Sequence, residues 1–289
     1  MICPDCTEAI TDLACRACGW AGQRSGNVDV AFGRRDLADP VIAEYLSNYD
    51  AIADKDCEEG ILDELYVRNL ADNLVAVAGD VTNLDILDVG VGKAFVLRKL
   101  VQRGARSATA VDISLRYLQA LSNEPRIKCV QANAENLPFS QEFDLVVTTD
   151  VLEHVLNAGS FLLSVHRALR PGGRLIVRVP YRESLLQYSP LNGCPYRFVH
   201  LRTFDRMVLR DYLRFSGFSV ESITFDGYFV GRPHTFWMKT VKRQQAYELF
   251  VRTLVKCTGS NANATLLPRW FANIMMPASE IIISGRKRA

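Results

Sequence analysis

From Leu84 to Phe225 the chain alternates short apolar runs with amphipathic stretches, and this pattern constrains the fold more than any other feature. Leu84–Val89, Ala108–Val111, Ile127–Val130, Phe143–Thr148, Arg174–Val179 and Phe218–Phe225 read as strands. Ala94–Arg103, Ser114–Leu121, Ser160–Leu169 and Asp205–Phe215 read as helices between them. Most of these runs are apolar at successive positions, as in strands buried on both faces. Strands alternating with helices require right-handed crossovers and a mostly parallel sheet covered on both sides. The expected class is therefore α/β. Before this region, Pro40–Tyr49 and Glu58–Val77 carry apolar residues at helical spacing, and Gly79 ends the second stretch. After it come an insertion and a final strand at Glu280–Ser284. The insertion holds an expected helix from His234 to Lys256 and a loop from Thr258 to Pro277. With 48% hydrophobic and 23% charged residues the chain can fill such a core. No run approaches 18 apolar residues, and the start has no basic stretch followed by an apolar one. The reading is a cytoplasmic protein with no transmembrane segment.

Four of the eight cysteines lie within the first 18 residues: Cys3, Cys6, Cys15 and Cys18. Two C-x-x-C pairs on tight turns can bring four thiolates to the corners of a tetrahedron, the arrangement Zn²⁺ prefers. Four thiolates leave no open position, so the expected role is structural. This N-terminal segment resembles a small zinc ribbon, and it is expected to need its metal to stay folded. Cys57, Cys129, Cys194 and Cys257 are scattered singly and read as small apolar fillers.

The first strand ends in Asp88-Val89-Gly90-Val91-Gly92-Lys93, with a helix to follow. Glycines here let the backbone turn sharply and approach a ligand beside a helix N-terminus. A third glycine is missing, since Lys93-Ala94 occupies its place, and no phosphate-loop pattern exists. Asp112 ends the second strand, where a carboxylate can accept from both hydroxyls of a ribose. It has a purely structural alternative, capping the helix that begins near Ser114. A nucleoside-containing ligand follows, without a choice between a nicotinamide cofactor and S-adenosylmethionine.

The ordered strings L-D-I-L-D-V-G-V-G, A-V-D-I-S, A-N-A-E-N-L-P-F, F-D-L-V-V-T-T-D-V-L-E-H-V and L-R-P-G-G-R-L-I-V-R-V-P span roughly half the chain. Together they resemble the class I S-adenosylmethionine-dependent methyltransferases. The resemblance implies a Rossmann-like seven-stranded methyltransferase sheet with helices on both faces. It divides the chain into the ribbon (1–33), a helical lid or linker (34–80) and the methyltransferase domain (81–289), with an insertion at about 231–278. It also implies that Asp88, Gly90 and Gly92 line the methionine part of the cofactor. Asp112 would hold the ribose and Ile113 would pack on adenine. Asn133 stands where the family often has Asp to accept from the adenine amino group, and Ala134 would meet the ring. Thr149 and Asp150 would begin the loop facing the sulfonium, and His154 would shape the pocket. Tyr49-Asp50-Ala51-Ile52-Ala53 looks like the lid.

The favoured acceptor is a hydroxyl of a small molecule or glycan, served by a base. His200, in the long loop Tyr181–Arg202, is the first candidate, with Asp150 and Tyr181 in reserve. An RNA methyltransferase gripping nucleic acid with the ribbon is the alternative, weakened by the absence of N-P-P-[YF]. Charge is unevenly spread. Residues 1–230 hold 24 Lys and Arg against 30 Asp and Glu, and residues 231–289 hold 10 against 2. Arg202, Arg206, Arg210 and Arg214 recur every four positions as one helix face, either a solvated stripe or a draw for an anionic acceptor. Trp237, Trp270, Phe271, Met275 and Met276 form an apolar, basic-flanked group, read as core packing or as contact with a lipid-linked substrate.

Overall fold

The computed structural model describes residues 1–59, 64–226 and 278–288. Its strands are β1 (Gln23–Ser25), β2 (Val28–Val30), β3 (Asp85–Val89), β4 (Ser107–Asp112), β5 (Ile127–Gln131), β6 (Phe143–Thr149), β7 (Leu169–Pro180), β8 (Phe218–Asp226) and β9 (Glu280–Lys287). Its helices are α1 (Arg34–Ala38), α2 (Pro40–Glu59), α3 (Glu64–Ala78), α4 (Phe95–Gln102), α5 (Leu115–Leu121), α6 (Ala158–Ala168) and α7 (Arg206–Phe215). The strands form one sheet in the order β1-β2-β5-β4-β3-β6-β7-β9-β8. Strands β5, β4, β3, β6 and β7 are parallel, and β9 and β8 close the far edge antiparallel. These seven are the expected Rossmann-like sheet.

Side chains that alternate along each strand feed two apolar layers. Leu87, Val89 and Val111 join Phe161 and Val165 of α6 and Leu209 and Leu213 of α7. Ile86, Ala108 and Ala110 join Leu74 and Val75 of α3, Leu97 and Leu100 of α4 and Leu118 of α5. The crossovers thus cover both faces and leave the carboxyl ends of the strands to the loops.

The ribbon adds two strands that the motif reading did not contain. β2 pairs in parallel with β5, Val28 opposite Cys129 and Val30 opposite Gln131. This covers an edge whose backbone groups would otherwise stand open to another chain. Cys3, Leu13, Cys15, Trp20 and Ala31 lie in the same apolar cluster as Phe139 and Phe161, so the ribbon shares the main core.

Two expectations, on Arg202 and Cys57, need correction. One helix, α2, runs from Pro40 through Glu59, past the end of the Pro40–Tyr49 stretch. No glycine or proline interrupts it, and Ile42, Tyr45 and Ala53 are buried at helical spacing. Arg202 precedes α7 and is not on its basic face; its guanidinium donates to Leu152 O (2.8 Å), Val155 O (2.5 Å) and Leu156 O (2.9 Å). Cys57 is exposed and no core filler, whereas Cys129 is buried and Cys194 half-buried. Cys257, the His234–Lys256 helix and the Trp237, Trp270, Phe271, Met275 and Met276 group lie outside the described residues. Among those described, no helix is long and apolar enough to cross a membrane.

Candidate active site

The turn after β3 brings its backbone against β4. Gly90 N–H donates to Val111 O at 2.8 Å, and the residue sits at φ +73°. A Cβ there would lie 2.1 Å from Val151 Cγ2, so glycine is required on both counts. Gly92, at φ +48°, faces open space and donates its N–H to Asp112 Oδ2 at 3.0 Å. Ser114 N–H donates to Asp112 Oδ1 at 2.9 Å, so this carboxylate also performs the capping role. Each oxygen keeps a lone pair for a ligand. Ala94 takes the left-handed conformation (φ +58°) at the place of the missing glycine. Burial pushes Asp112 up to about 6, against the pull of the Gly92 and Ser114 N–H groups. Burial and the neighbouring Asp112 push Asp88 up to about 7, and its Oδ1 has no hydrogen-bond partner. Orphaned and half-used carboxylate oxygens beside open space suit a ligand that brings hydroxyl and cationic donors.

Two residues along from β5, Asn133 accepts Glu135 N–H at its Oδ1 (2.9 Å) and donates from Nδ2 to Asp36 Oδ1 (2.8 Å). Ala134 opens a short 3₁₀ turn, Ala134–Asn136. Ile113 is half-buried, its carbonyl held by Gln131 Nε2 at 2.9 Å. Helix α2 packs against this side. Ser114 Oγ donates to Asp50 Oδ1 at 2.7 Å, and Tyr117 OH to Asp56 Oδ2 at 2.8 Å.

Beyond β6, Thr149 stands opposite Arg178 in the sheet. Asp150, at φ +55°, places Oδ2 2.5 Å from Arg178 Nη2, and that guanidinium is 5% exposed. Tyr181 packs edge-on against Phe225, ring centres 5.0 Å apart. His154 Nδ1 lies 2.7 Å from Tyr49 OH, and burial together with His200 holds this imidazole down to about 3, hence neutral. His200 meets it edge-on at 4.5 Å. His200 Nδ1 is hydrogen-bonded to Glu183 Oε1, and the Tyr188 ring stacks on the imidazole at 3.9 Å. Tyr188 OH donates to the other Glu183 oxygen at 2.9 Å. Beside them Glu153 is fully buried, its carboxyl pushed well up by burial and by Asp150. Glu153, His154 and His200 each bring one donor atom within 4.8 Å of the others.

Among the expected residues, the turn (Asp88, Gly90, Gly92, Asp112) forms one group and His154 with His200 another. Asp150 is engaged by Arg178 and Tyr181 by Phe225. Glu183 and Tyr188 complete the histidine group and were not read from sequence, and Tyr49, read as part of the lid, joins it through His154. Only the acidic residue in the same loop as His200 could have hinted at the first of these.

The four N-terminal cysteines converge as their spacing implies. Cys3 and Cys18 Sγ are 3.6 Å apart, Cys6 and Cys15 Sγ 3.5 Å, and all four lie within 4.8 Å of one another. A Zn–S length of about 2.3 Å places tetrahedral sulfurs roughly 3.8 Å apart, so the donor set fits that ion. Gly19 (φ +70°) and Thr7 (φ +65°) make equivalent turns one residue past the second cysteine of each pair.

Residues 87–177 match the family model described as a methyltransferase domain. A Mycolicibacterium smegmatis protein named a probable S-adenosylmethionine-dependent methyltransferase is 29% identical over 47% of this chain and 52% of its own. A ubiquinone biosynthesis O-methyltransferase of Rickettsia bellii is 28% identical over 43% and 54%. The chain thus spans about half the length of the curated relatives it matches. A chain from the complex of the Haloferax volcanii Trm112 methyltransferase activator with a methyltransferase superposes with a TM-score of 0.58, at 16% identity, over 83% of this chain and 98% of that one. An S-adenosylmethionine-dependent methyltransferase of Mesorhizobium loti gives 0.52 at 17%, over 79% and 99%. At such identities the likeness to these structures is one of fold.

Proposed function

We propose that the chain is a class I S-adenosylmethionine-dependent methyltransferase and that it methylates a hydroxyl of a small molecule or glycan. The observation that carries the acceptor class is the His200–Glu183 pair. A carboxylate on Nδ1 selects the tautomer with its proton there and leaves Nε2 as the basic nitrogen. Tyr188 holds the ring plane from one face and His154 from its edge. S-adenosylmethionine, when bound, supplies a methyl group already activated by positive sulfur. Asp112 would hold its ribose, Asp88, Gly90 and Gly92 its methionine part, and Ile113, Asn133 and Ala134 its adenine. Thr149 and Asp150 would face the sulfonium, and His154 would wall the pocket through Tyr49. The lid residues Tyr49 and Asp50 keep water out, and His200 takes the proton from the attacking hydroxyl. Asp150 and Tyr181 remain the reserve bases. The name of the Rickettsia relative supports oxygen as the acceptor atom.

An RNA acceptor would call for a basic ribbon, because phosphate contacts dominate such binding. Residues 1–39 hold four arginines and no lysine against six carboxylates. Arg24 pairs with Asp12 and Asp29, and Arg34 with Asp5. This balance favours the small-molecule reading.

The cofactor pocket carries its own pH signature. Asp88 and Asp112 have raised folded-state pKa values, so the folded protein binds their protons more tightly than the unfolded chain does. Their stabilising contribution is full below about pH 4 and is lost as pH rises through about 6 to 7. Cofactor affinity runs the other way, because an ionised Asp112 accepts where a protonated one must donate. The melting-temperature increase produced by S-adenosylhomocysteine should therefore grow between about pH 5 and 7. Thermal scans across that range check it, and a flat or falling increment contradicts it.

For the ribbon we propose one structural Zn²⁺ held by Cys3, Cys6, Cys15 and Cys18. Metal analysis of purified protein should find close to one zinc per chain, and a Cys15→Ser, Cys18→Ser double variant should lose it. Wild-type protein with intact free thiols and no metal would refute this.

A further inference from the structure

The loop expected to face adenine is stitched to the metal loop of the ribbon. Ile2 N–H donates to Pro138 O at 2.9 Å, and Asn136 Nδ2 to Pro4 O at 2.8 Å. Asp5, between Cys3 and Cys6, accepts Arg34 N–H at 2.8 Å and so fixes the start of α1. One turn into that helix, Asp36 accepts Gly33 N–H at Oδ2 (3.0 Å) and Asn133 Nδ2–H at Oδ1 (2.8 Å). Asn133 itself is buried, at 8% exposure.

A side-chain amide can present either its oxygen or its nitrogen to a ligand, and the two are nearly the same shape. An ionised carboxylate is acceptor-only, so Asp36 can be satisfied by Asn133 only through the amide nitrogen. That choice turns Asn133 Oδ1 the other way, where it meets Glu135 N–H and keeps a second lone pair. We propose that Asp36 is a positioning residue for the adenine subsite, fixing the amide of Asn133 so that its oxygen faces the base. The same contact explains why an amide stands at position 133 where the resembling family often carries Asp. Two carboxylates 2.8 Å apart cannot both stay ionised, so a ribbon that delivers Asp36 here demands a neutral donor opposite. The cofactor subsite is thereby completed by the helix that follows the ribbon. The proposal rests on the cofactor reading given above.

Titration calorimetry with S-adenosylhomocysteine on full-length wild type, Asn133→Asp, Asp36→Ala and the Asp36→Asn/Asn133→Asp pair tests it. Asn133→Asp should weaken binding about tenfold or more, because it loses a charge-assisted hydrogen bond and gains a repulsion. Asp36→Ala should weaken it about fivefold or more, since Glu135 N–H alone is then left to orient the amide. The exchanged pair should return to within about threefold of wild type. There the amide introduced at 36 can donate to the carboxylate introduced at 133 while its oxygen still accepts Gly33 N–H. Melting temperature and zinc content, measured on each protein, separate this from a folding defect. Affinity unchanged in Asn133→Asp while melting temperature falls would show a merely structural contact and overturn the proposal. An exchanged pair that binds as poorly as Asn133→Asp would overturn it as well. A wild type that binds no S-adenosylhomocysteine would instead defeat the cofactor reading and take this proposal with it.

Discussion

His200→Ala should lower methyl-transfer turnover about 10²–10⁴-fold, the range expected for losing a positioned general base. Affinity for S-adenosylhomocysteine should stay within about threefold of wild type, because the removed group acts on the acceptor's proton and not on the cofactor. The geometry makes the expectation specific. Glu183 holds Nδ1, so the basic lone pair is at Nε2, and Tyr188 stacked at 3.9 Å fixes the direction in which it points. Alanine removes the nitrogen and leaves Glu183 with the Tyr188 hydroxyl and the Gln187 amide. Glu183→Gln should cost less, since the imidazole remains. Steady-state rates on the three proteins decide this. A loss below about tenfold for His200→Ala would make the histidine a loop-fixing residue and return the base role to Asp150 or Tyr181.

The sheet and the glycine turn were readable because their signals are local. Strands β3 to β6 are buried along most of their length, and their apolar residues fall at successive positions rather than alternating strictly with polar ones. Asp88, Gly90, Gly92 and Asp112 sit at strand ends, where the local string marks both the turn and its neighbour. The two cysteine pairs are likewise self-contained. What escaped the sequence depends on partners far along the chain. Glu183 reaches His200 across 17 positions, Asp36 reaches Asn133 across 97, and Arg202 reaches the 152–156 turn across about 50. None of these distances has a periodicity that residue spacing could reveal. The pairing of β2 with β5 escaped for the same reason, since a three-residue strand carries too little alternation to be seen. It changed the meaning of the ribbon, from an appended module to part of the sheet edge. Arg202 was misread because its four-residue register with Arg206 looks helical, whereas the helix begins only after Asp205 caps it.

Asp112→Ala should be the most damaging single change to cofactor binding. Two ribose hydroxyls lose their acceptor in a pocket where water is a poor substitute. The Gly92 and Ser114 N–H groups lose theirs as well, so the glycine turn itself is loosened. The expected cost is roughly 1–3 kcal/mol, about 5–150-fold in affinity. Asp112→Asn should recover little of it, because the amide nitrogen would face the donor N–H of either Gly92 or Ser114. Titration of S-adenosylhomocysteine into wild type and Asp112→Ala by calorimetry therefore tests the central claim directly. One binding event per wild-type chain is expected, weakened in the variant by at least about fivefold. No binding to the wild type, or equal affinity in the two proteins, would contradict it.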